Sequence, residues 1–288
     1  MHLLPDFVRY GSPADPFHLE FNRRSGHYSM DVHHFHHFYE VYYLFTGERG
    51  YFIKDRSYIV RQGDIVLIDP NEVHKTFDIG VPNHERAVVY YESSFFERYY
   101  PEDGELLLSS FGHHPVLRLN MKERAVIDGL FDAFFREMTE KPYGFELRLR
   151  HMAAELLLFI SRFSQKRRSI PEEQLSPIHR KVMDIVKYIN SHYNEPIDLE
   201  TISRQFYVSY SYLSSVFKEV TGFSFSDYVN TVRIKEAQKL LRETDWKITD
   251  IAEHTGFNNF SHFGKVFKKL SHLSPRAYRQ QHSNKNAQ

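Results

Sequence analysis

"LSSVFKEVTGFSFSDYV", residues 213–229, and "FGKVFKKLSHLSPRAYR", residues 263–279, are two versions of one pattern. Val216, Phe217 and Lys218 recur as Val266, Phe267 and Lys268, and Gly222 and Tyr228 correspond to His272 and Tyr278. The repeat extends upstream: "LETISRQFYVSYSYL" (199–213) aligns with "ITDIAEHTGFNNFSHF" (248–263), with one extra residue in the second turn. Each unit reads as a short helix, a tight turn and a second, amphipathic helix. Leu199, Ile202 and Phe206 give the first helix its apolar face. Leu213, Val216, Phe217 and Val220 do so for the second helix, as Phe263, Val266, Phe267 and Leu270 do in the other copy. Small Ser203 and Ala252 sit where the second helix must cross closely. Ser209 is placed to cap it, and Gly256 to take a positive φ in the turn. This is the pattern of a helix-turn-helix unit. One such pattern is weak, whereas two copies at a fixed offset are specific. Val229, Val232, Ile234, Ala237, Leu240 and Leu241 predict a connecting helix between the two heads. Heads reading successive major-groove turns need centres about 34 Å apart.

Charge agrees with a polyanion partner for this half. The 288-residue chain is formally neutral, with 37 basic and 37 acidic residues. From Ile178 onward it has 16 lysines and arginines against 11 aspartates and glutamates, and the remainder is correspondingly acidic. The length suggests about two domains, and 41% hydrophobic content is enough for real cores. There is no cysteine, which excludes disulfides and thiolate metal sites. With no apolar leader at the N-terminus and no long apolar run, the expectation is a soluble cytoplasmic protein with no membrane partner.

Residues 178–279 resemble the DNA-binding domain of the AraC/XylS family of transcriptional regulators. "YLSSVFKEVTGFSFSDYVNTVRIKEAQKLL" and "ITDIAEHTGFNNFSHFGKVFKKLSHLSPRAYR" carry the resemblance. It implies two helix-turn-helix units that insert their second helices into adjacent major-groove segments of promoter DNA. Matched position by position, Ser209, Ser211, Tyr212, Ser214, Ser215 and Lys218 form the first DNA-facing set. Asn259, Ser261, His262, Lys265, Lys268 and Lys269 form the second. The family often carries Arg at the place of Ser215, and a Ser, Thr or Arg at that of Gly264; both departures reduce base-reading capacity. His272 stands where the family usually has Gly, which puts the end of that helix in question.

The first third of the chain reads as strands. "YEVYYLFTGERGYFIKDRSYIVRQGDIVLIDP" (39–70) is dense in aromatic and β-branched residues and cut by turn-like "TGERG", "KDRS" and "RQGD". A small antiparallel barrel or sandwich over about residues 20–115 follows. Helical spacing then takes over, with Val126, Leu130, Phe134 and Met138 on one helix and Met152, Leu156, Phe159, Ile160 and Phe163 on the next, separated by "EKPYG". This predicts a helical hairpin over 121–163 that covers the barrel and offers a dimer surface. The proline-bearing, charged stretch 164–177 reads as a linker to an all-α domain over 178–288. The fold class is therefore α+β.

"HHFHHFYE" (33–40) and "GDIVLIDPNEVH" (63–74) resemble the two motifs of the cupin barrel, with Glu72 where the second motif usually has glycine. Metal-binding members supply three histidines and a glutamate there, which match His34, His36, Glu40 and His74. Alternate strand residues His34 and His36 would point the same way, and a hairpin partner would bring His74 opposite. Imidazole and carboxylate suit a divalent metal. A metal-free pocket and a merely structural run are the competing readings. In AraC/XylS regulators such a barrel commonly senses a small molecule, often a sugar, without catalysis. The expectation is therefore an effector site of His34, His36, Glu40, Tyr42 and His74, with no cofactor, no bound metal and no enzyme activity. Tyr39, Tyr42, Tyr43, Phe45 and Phe52 are candidates to stack on sugar faces. The resemblance further implies a homodimer that activates carbohydrate uptake or breakdown genes and, as an activator, engages RNA polymerase. The rival is a metal-dependent cupin enzyme fused to a DNA-binding module.

Overall fold

In the computed structural model, residues 5–27, 35–80, 82–166 and 176–283 are described. The first half of the chain runs through eight strands: β1 (Phe7–Tyr10), β2 (Phe17–Arg24), β3 (Tyr39–Thr46), β4 (Glu48–Ile53), β5 (Arg56–Arg61), β6 (Asp64–Ile68), β7 (His74–Asp78) and β8 (His84–Tyr91). Helices α1 (Ser93–Tyr99) and α2 (Gly104–Leu108), strand β9 (Val116–Arg118), and long helices α3 (Met121–Glu140) and α4 (Phe145–Lys166) follow. The strands form two antiparallel sheets, ordered β1-β2-β8-β3-β6-β9 and β5-β4-β7. The expected barrel thus takes the form of two facing sheets. It also begins earlier than residue 20, because β1 and the start of β2, from Phe17, precede it.

Strand alternation divides the side chains between two cores. Val41, Tyr43 and Phe45 of β3 join Leu19, Phe21, Ala87 and Val89 in a core shared with α3 and α4. Tyr42 and Leu44 point the other way and meet Tyr51, Ile53 and Val60 of the smaller sheet. The hairpin α3–α4 lies across the outer face of the larger sheet, where Tyr43 stacks on Phe131 at 5.4 Å between ring centroids and donates its hydroxyl proton to Asp128. Asn120 and Glu123 start α3 with a reciprocal capping box. The buried stripe of α3 is Ile127, Phe131, Phe134, Phe135 and Met138. Val126, expected on that stripe, is 56% exposed and Ile127 takes its place, whereas Phe134 and Met138 are buried as expected.

The second half is helical: α5 (Pro177–His192), α6 (Leu199–Gln205), α7 (Tyr210–Thr221), α8 (Phe225–Glu243), α9 (Ile248–His254), α10 (Phe260–Ser271) and α11 (Pro275–Ser283). Helices α6 and α7 form the first head, α9 and α10 the second, and α8 joins them. Ser203 and Ala252 are both buried at the crossings, as their size requires, and Gly256 takes φ +86° in the second turn. The ends of the expected linker are helical: α4 continues to Lys166, and Ser176 caps α5. Its middle, residues 167–175, lies outside the described residues.

The two halves pack on each other. The outward face of the smaller sheet, the one opposite Tyr51 and Ile53, supplies Phe52 and Val73 to the core around α5, α7 and α8. Phe52 lies 5.7 Å from Phe223 and 5.6 Å from Tyr228, centroid to centroid. The Tyr228 hydroxyl donates to the Lys54 carbonyl at 3.3 Å, and the Ser57 hydroxyl donates to the Val220 carbonyl.

A buried polar cluster and two exposed helix faces as candidate functional sites

Glu40 opens the inward row of β3 and is 2% exposed. His36 Nε2 lies 2.9 Å from one of its carboxylate oxygens, and His74 Nε2 lies 3.6 Å from the same oxygen. The Tyr51 hydroxyl donates to the other at 3.0 Å. Three of the four histidine-motif positions therefore converge. They do so by a different route from alternate strand residues. His36 reaches Glu40 from the loop before β3, and His74 comes from the facing sheet, where β7 pairs with β4. His34 lies outside the described residues.

Each imidazole is oriented from behind. His36 Nδ1 lies 3.1 Å from the Phe38 carbonyl and His74 Nδ1 lies 2.8 Å from the Glu72 carbonyl. A carbonyl only accepts, so both Nδ1 atoms carry protons, both Nε2 atoms turn toward Glu40, and the 2.9 Å contact of His36 Nε2 with the carboxylate needs a further proton shared between ring and carboxylate. Burial alone would raise the Glu40 pKa, but the hydrogen bond with His36 and the nearby His74 imidazole overcome this and hold it well below the usual carboxylate range. Burial draws the His36 pKa down against the pull of Glu40. Chemically, this set of donors suits a shared proton, the hydroxyls of a ligand, or a divalent cation. The donor atoms of His36, Glu40 and His74 lie within 4.8 Å of one another, and a carbonyl behind each ring is the second-layer arrangement that metal-binding imidazoles use.

Other inward side chains extend the cluster. The Tyr42 hydroxyl is fully buried with no hydrogen-bond partner among the described residues, as is His18 Nδ1. Burial raises the Tyr42 phenol to about 12. Burial, reinforced by Arg9, lowers His18 to about 4, so its ring is neutral near pH 7. Of the five aromatics proposed to stack on sugars, only Tyr42 faces this interior. Tyr43 and Phe45 pack under α3, Tyr39 packs on Phe96 and Phe111, and Phe52 points into the helical half. The motif-based reading missed His18, Tyr51 and Arg86, which lie outside both motifs or within a stretch given no chemistry. Their signal was strand alternation, which becomes informative only once the partner strands are known.

A cleft of about 1000 Å³ opens elsewhere, between the β4–β5 hairpin, the segment leading into β9 and α5. It is lined by both signs of charge, and Lys54 is already paired with Glu72 at 3.0 Å. We favour the barrel interior as the candidate effector site, because buried polar atoms lacking partners lie there.

The DNA-facing candidates all lie at the surface. On α7, Ser211, Tyr212, Ser214, Ser215 and Lys218 are exposed, while Leu213, Val216 and Phe217 are buried beneath them. On α10, Ser261, His262, Lys265, Lys268 and Lys269 are exposed over Phe263 and Phe267. At Gly264 an added side chain would meet open space. Ser209 and Asn259 both stand at the N-cap, but only Asn259 caps, accepting from the His262 amide at 2.8 Å. The Ser209 side chain makes no cap bond. Tyr210 and Phe260, each more than half exposed at the start of its reading helix, join these faces without having been singled out by the repeat.

Residues 18–157 match the family model of an AraC-like ligand binding domain, and residues 202–281 match that of a helix-turn-helix domain. Among similar proteins, the regulatory protein PocR of Salmonella typhimurium is 37% identical over 106 residues, covering 37% of this chain and 35% of that protein. The match thus spans about a third of that relative. The HTH-type transcriptional regulator YfiF of Bacillus subtilis is 24% identical over 260 residues, 88% of this chain and 80% of that protein. Among solved structures, the C-terminal domain of AraT, a response regulator from Geobacillus stearothermophilus, is 34% identical and covers 38% of this chain and 88% of that chain, with a TM-score of 0.35. No helix among the described residues is long and apolar enough to cross a membrane.

Proposed function

On the premise that this chain belongs to the AraC family of helix-turn-helix transcriptional regulators, we propose that its ligand-binding region governs how its two heads meet promoter DNA. The heads read DNA through Ser211, Tyr212, Ser214, Ser215 and Lys218 on α7 and through Ser261, His262, Lys265, Lys268 and Lys269 on α10. Ser209 and Asn259 enter at the helix starts. Helix α8 has 19 residues, about 28 Å at 1.5 Å per residue, which suits heads placed in neighbouring major-groove turns. Between the sheets, His36, Glu40, Tyr42 and His74, with His34 as a further candidate, hold a small polyhydroxylated effector. Residues 1–163 act as the sensing and dimerisation part, 164–177 as linker and 178–288 as the DNA-binding part. The chain works in the cytoplasm as a homodimer that activates carbohydrate uptake or breakdown genes through RNA polymerase.

One observation carries the link between effector and DNA. Strands β4 and β7 turn Tyr51 and His74 toward Glu40, and turn Phe52, Lys75 and Phe77 toward the first head. Lys75 lies 5.2 Å from the Phe223 ring, and the Gly222 turn lies against Phe77. The histidine stretch itself reaches the second head: Phe35, next to His36, packs on the core of α8, α9 and α10. A ligand that shifts His36 or His74 therefore moves residues on which both heads rest, and so shifts their arrangement.

The deciding experiment selects bound fragments from a random duplex pool with the full chain, then compares affinity for selected and random DNA at physiological salt. The reading expects discrimination of about 10³ or more; equal affinity for both would defeat it. Convergence of His36, Glu40 and His74 also favours a second reading, a cation-dependent enzyme on the same barrel. That reading expects stoichiometric metal in protein purified without a tag, and its loss in His74→Ala.

A further inference from the structure

Among the described residues, the interior of the two sheets holds two buried arginines, and they are treated differently. Arg49 is 1% exposed and has its anion: Nη1 donates to Asp78 and Nε to Thr76. Arg86 is 7% exposed and forms no ion pair among the described residues. Its Nε has no hydrogen-bond partner there, and its guanidinium lies 5.7 Å from the centre of the Tyr42 ring. That is near the outer limit of a useful cation–π contact and offsets only part of the cost of burying a charge. Of the buried carboxylates on the inward rows, Glu40 is contacted by His36, His74 and Tyr51, and Asp64 of β6 accepts from the Arg61 amide.

Arg86 also stands in the right place. On β8 it lies opposite Asn22 of β2 and Leu44 of β3, while Tyr90 lies opposite His18 and Glu40. Residues 86 and 90 share the inward face. Four residues of strand, roughly 13 Å of backbone, separate the Arg86 end from the Glu40 end, with the partnerless Tyr42 hydroxyl projecting between them. One end offers the oxygen and imidazole groups of Glu40, His36 and His74, suited to ligand hydroxyls, and the other offers a guanidinium with no ion-pair partner among the described residues and an unbonded Nε. Arginine in such a setting matches a carboxylate or phosphate.

We propose that the effector is an anionic sugar derivative, and that Arg86, with the Tyr42 hydroxyl, binds its acidic group. This rests on the reading of the interior as the effector site. A buried guanidinium kept for a ligand, with its Nε unbonded and no anion paired to it among the described residues, costs stability in the ligand-free protein, so its replacement by an apolar side chain of similar length stabilises it.

The test uses the full chain, wild type and Arg86→Met, in thermal unfolding with D-glucuronate, D-glucose 6-phosphate and neutral D-glucose at millimolar concentration. Ligand-free Arg86→Met should unfold about 2–4 °C higher than wild type, the shift expected of a modest stabilisation in a chain this size. At least one acidic probe should raise the wild-type midpoint while glucose does not, and that response should vanish in Arg86→Met. Which acid works separates a carboxylate from a phosphate. A lower midpoint for ligand-free Arg86→Met means that Arg86 already has a structural partner and overturns the proposal. An equal response to glucose, an undiminished response in Arg86→Met, or no response to either acid does the same. DNA binding is not read in this experiment, so failure here and failure of the regulatory reading are distinguishable.

Discussion

The two heads began as the same pattern and now have different neighbours. The first is seated on the smaller sheet. Tyr228 donates to the Lys54 carbonyl and to Asn190, and the turn after α7 lies against the Phe77 ring. The second is held mainly by its own surroundings. There Tyr278, the counterpart of Tyr228, donates to Gln238 at 3.2 Å and accepts from Arg242 at 2.6 Å, and Phe35 reaches it from the sensing half. The end of the reading helix shows the same divergence. Gly222 has φ +74°, and an added Cβ would stand 2.8 Å from Phe77 Cδ1. His272 has φ +57° in the same left-handed conformation but is exposed, so its side chain meets solvent. Close approach of another element requires glycine at the first site; at the second only the backbone penalty remains. The reading faces differ too, with one lysine on α7 against three on α10.

This comparison can be broken most decisively at Phe52. Phe52→Ala should cost about 3–5 kcal/mol, seen as a lower midpoint in denaturant, and should unseat the first head so that its DNA affinity no longer depends on the sensing half. A loss well under 1 kcal/mol would mean that the sheet does not support that head. Gly222→Ala comes next. Strain in the left-handed region costs about 1–2 kcal/mol, and the Phe77 contact adds to it. A neutral result in equilibrium unfolding would contradict the asymmetry.

On DNA, Lys268→Ala should weaken binding evenly across sequences and lower the salt slope by about one. Tyr212→Ala and His262→Ala should instead alter which sequences are preferred. Selection from a random pool by all three variants would expose a wrong assignment of reading faces if their preferences coincide. The smallest effect belongs to His272→Gly, which should stabilise by at most about 1 kcal/mol, because it removes a left-handed penalty without losing a packed side chain. A change of this sign, beside a loss at Gly222, would sharpen the view that only the first helix end is constrained from outside.

The C-terminal half was legible because its contacts are local. Helix period and the repeated Val-Phe-Lys identify α7 and α10, and the buried stripe Leu213, Val216 and Phe217 lies where the periodicity puts it. In the hairpin, period alone placed Phe134 and Met138 on the buried stripe of α3 but put Val126 there instead of Ile127, because both fit a helical pattern and only the sheet beneath selects Ile127. In the barrel, the motif located Glu40, His36 and His74 but not how they meet. The aromatic run 39–52 offered no sign that Tyr42 faces the interior while Tyr43 lies under α3 and Phe52 contacts the other half.

By itself, the sequence determined that there are two helix-turn-helix heads on a connecting helix, a strand-rich half before them, and which surfaces of the heads are polar. These follow from interactions among residues a few positions apart, which recur as a readable period. Only the tertiary structure decided that β7 faces β3, that Arg86 shares an interior with Glu40, and that the back of the smaller sheet supports the first head. Those juxtapositions join residues dozens to more than a hundred positions apart. Strand alternation says that neighbours face opposite ways, and only pairing and packing say what each face meets.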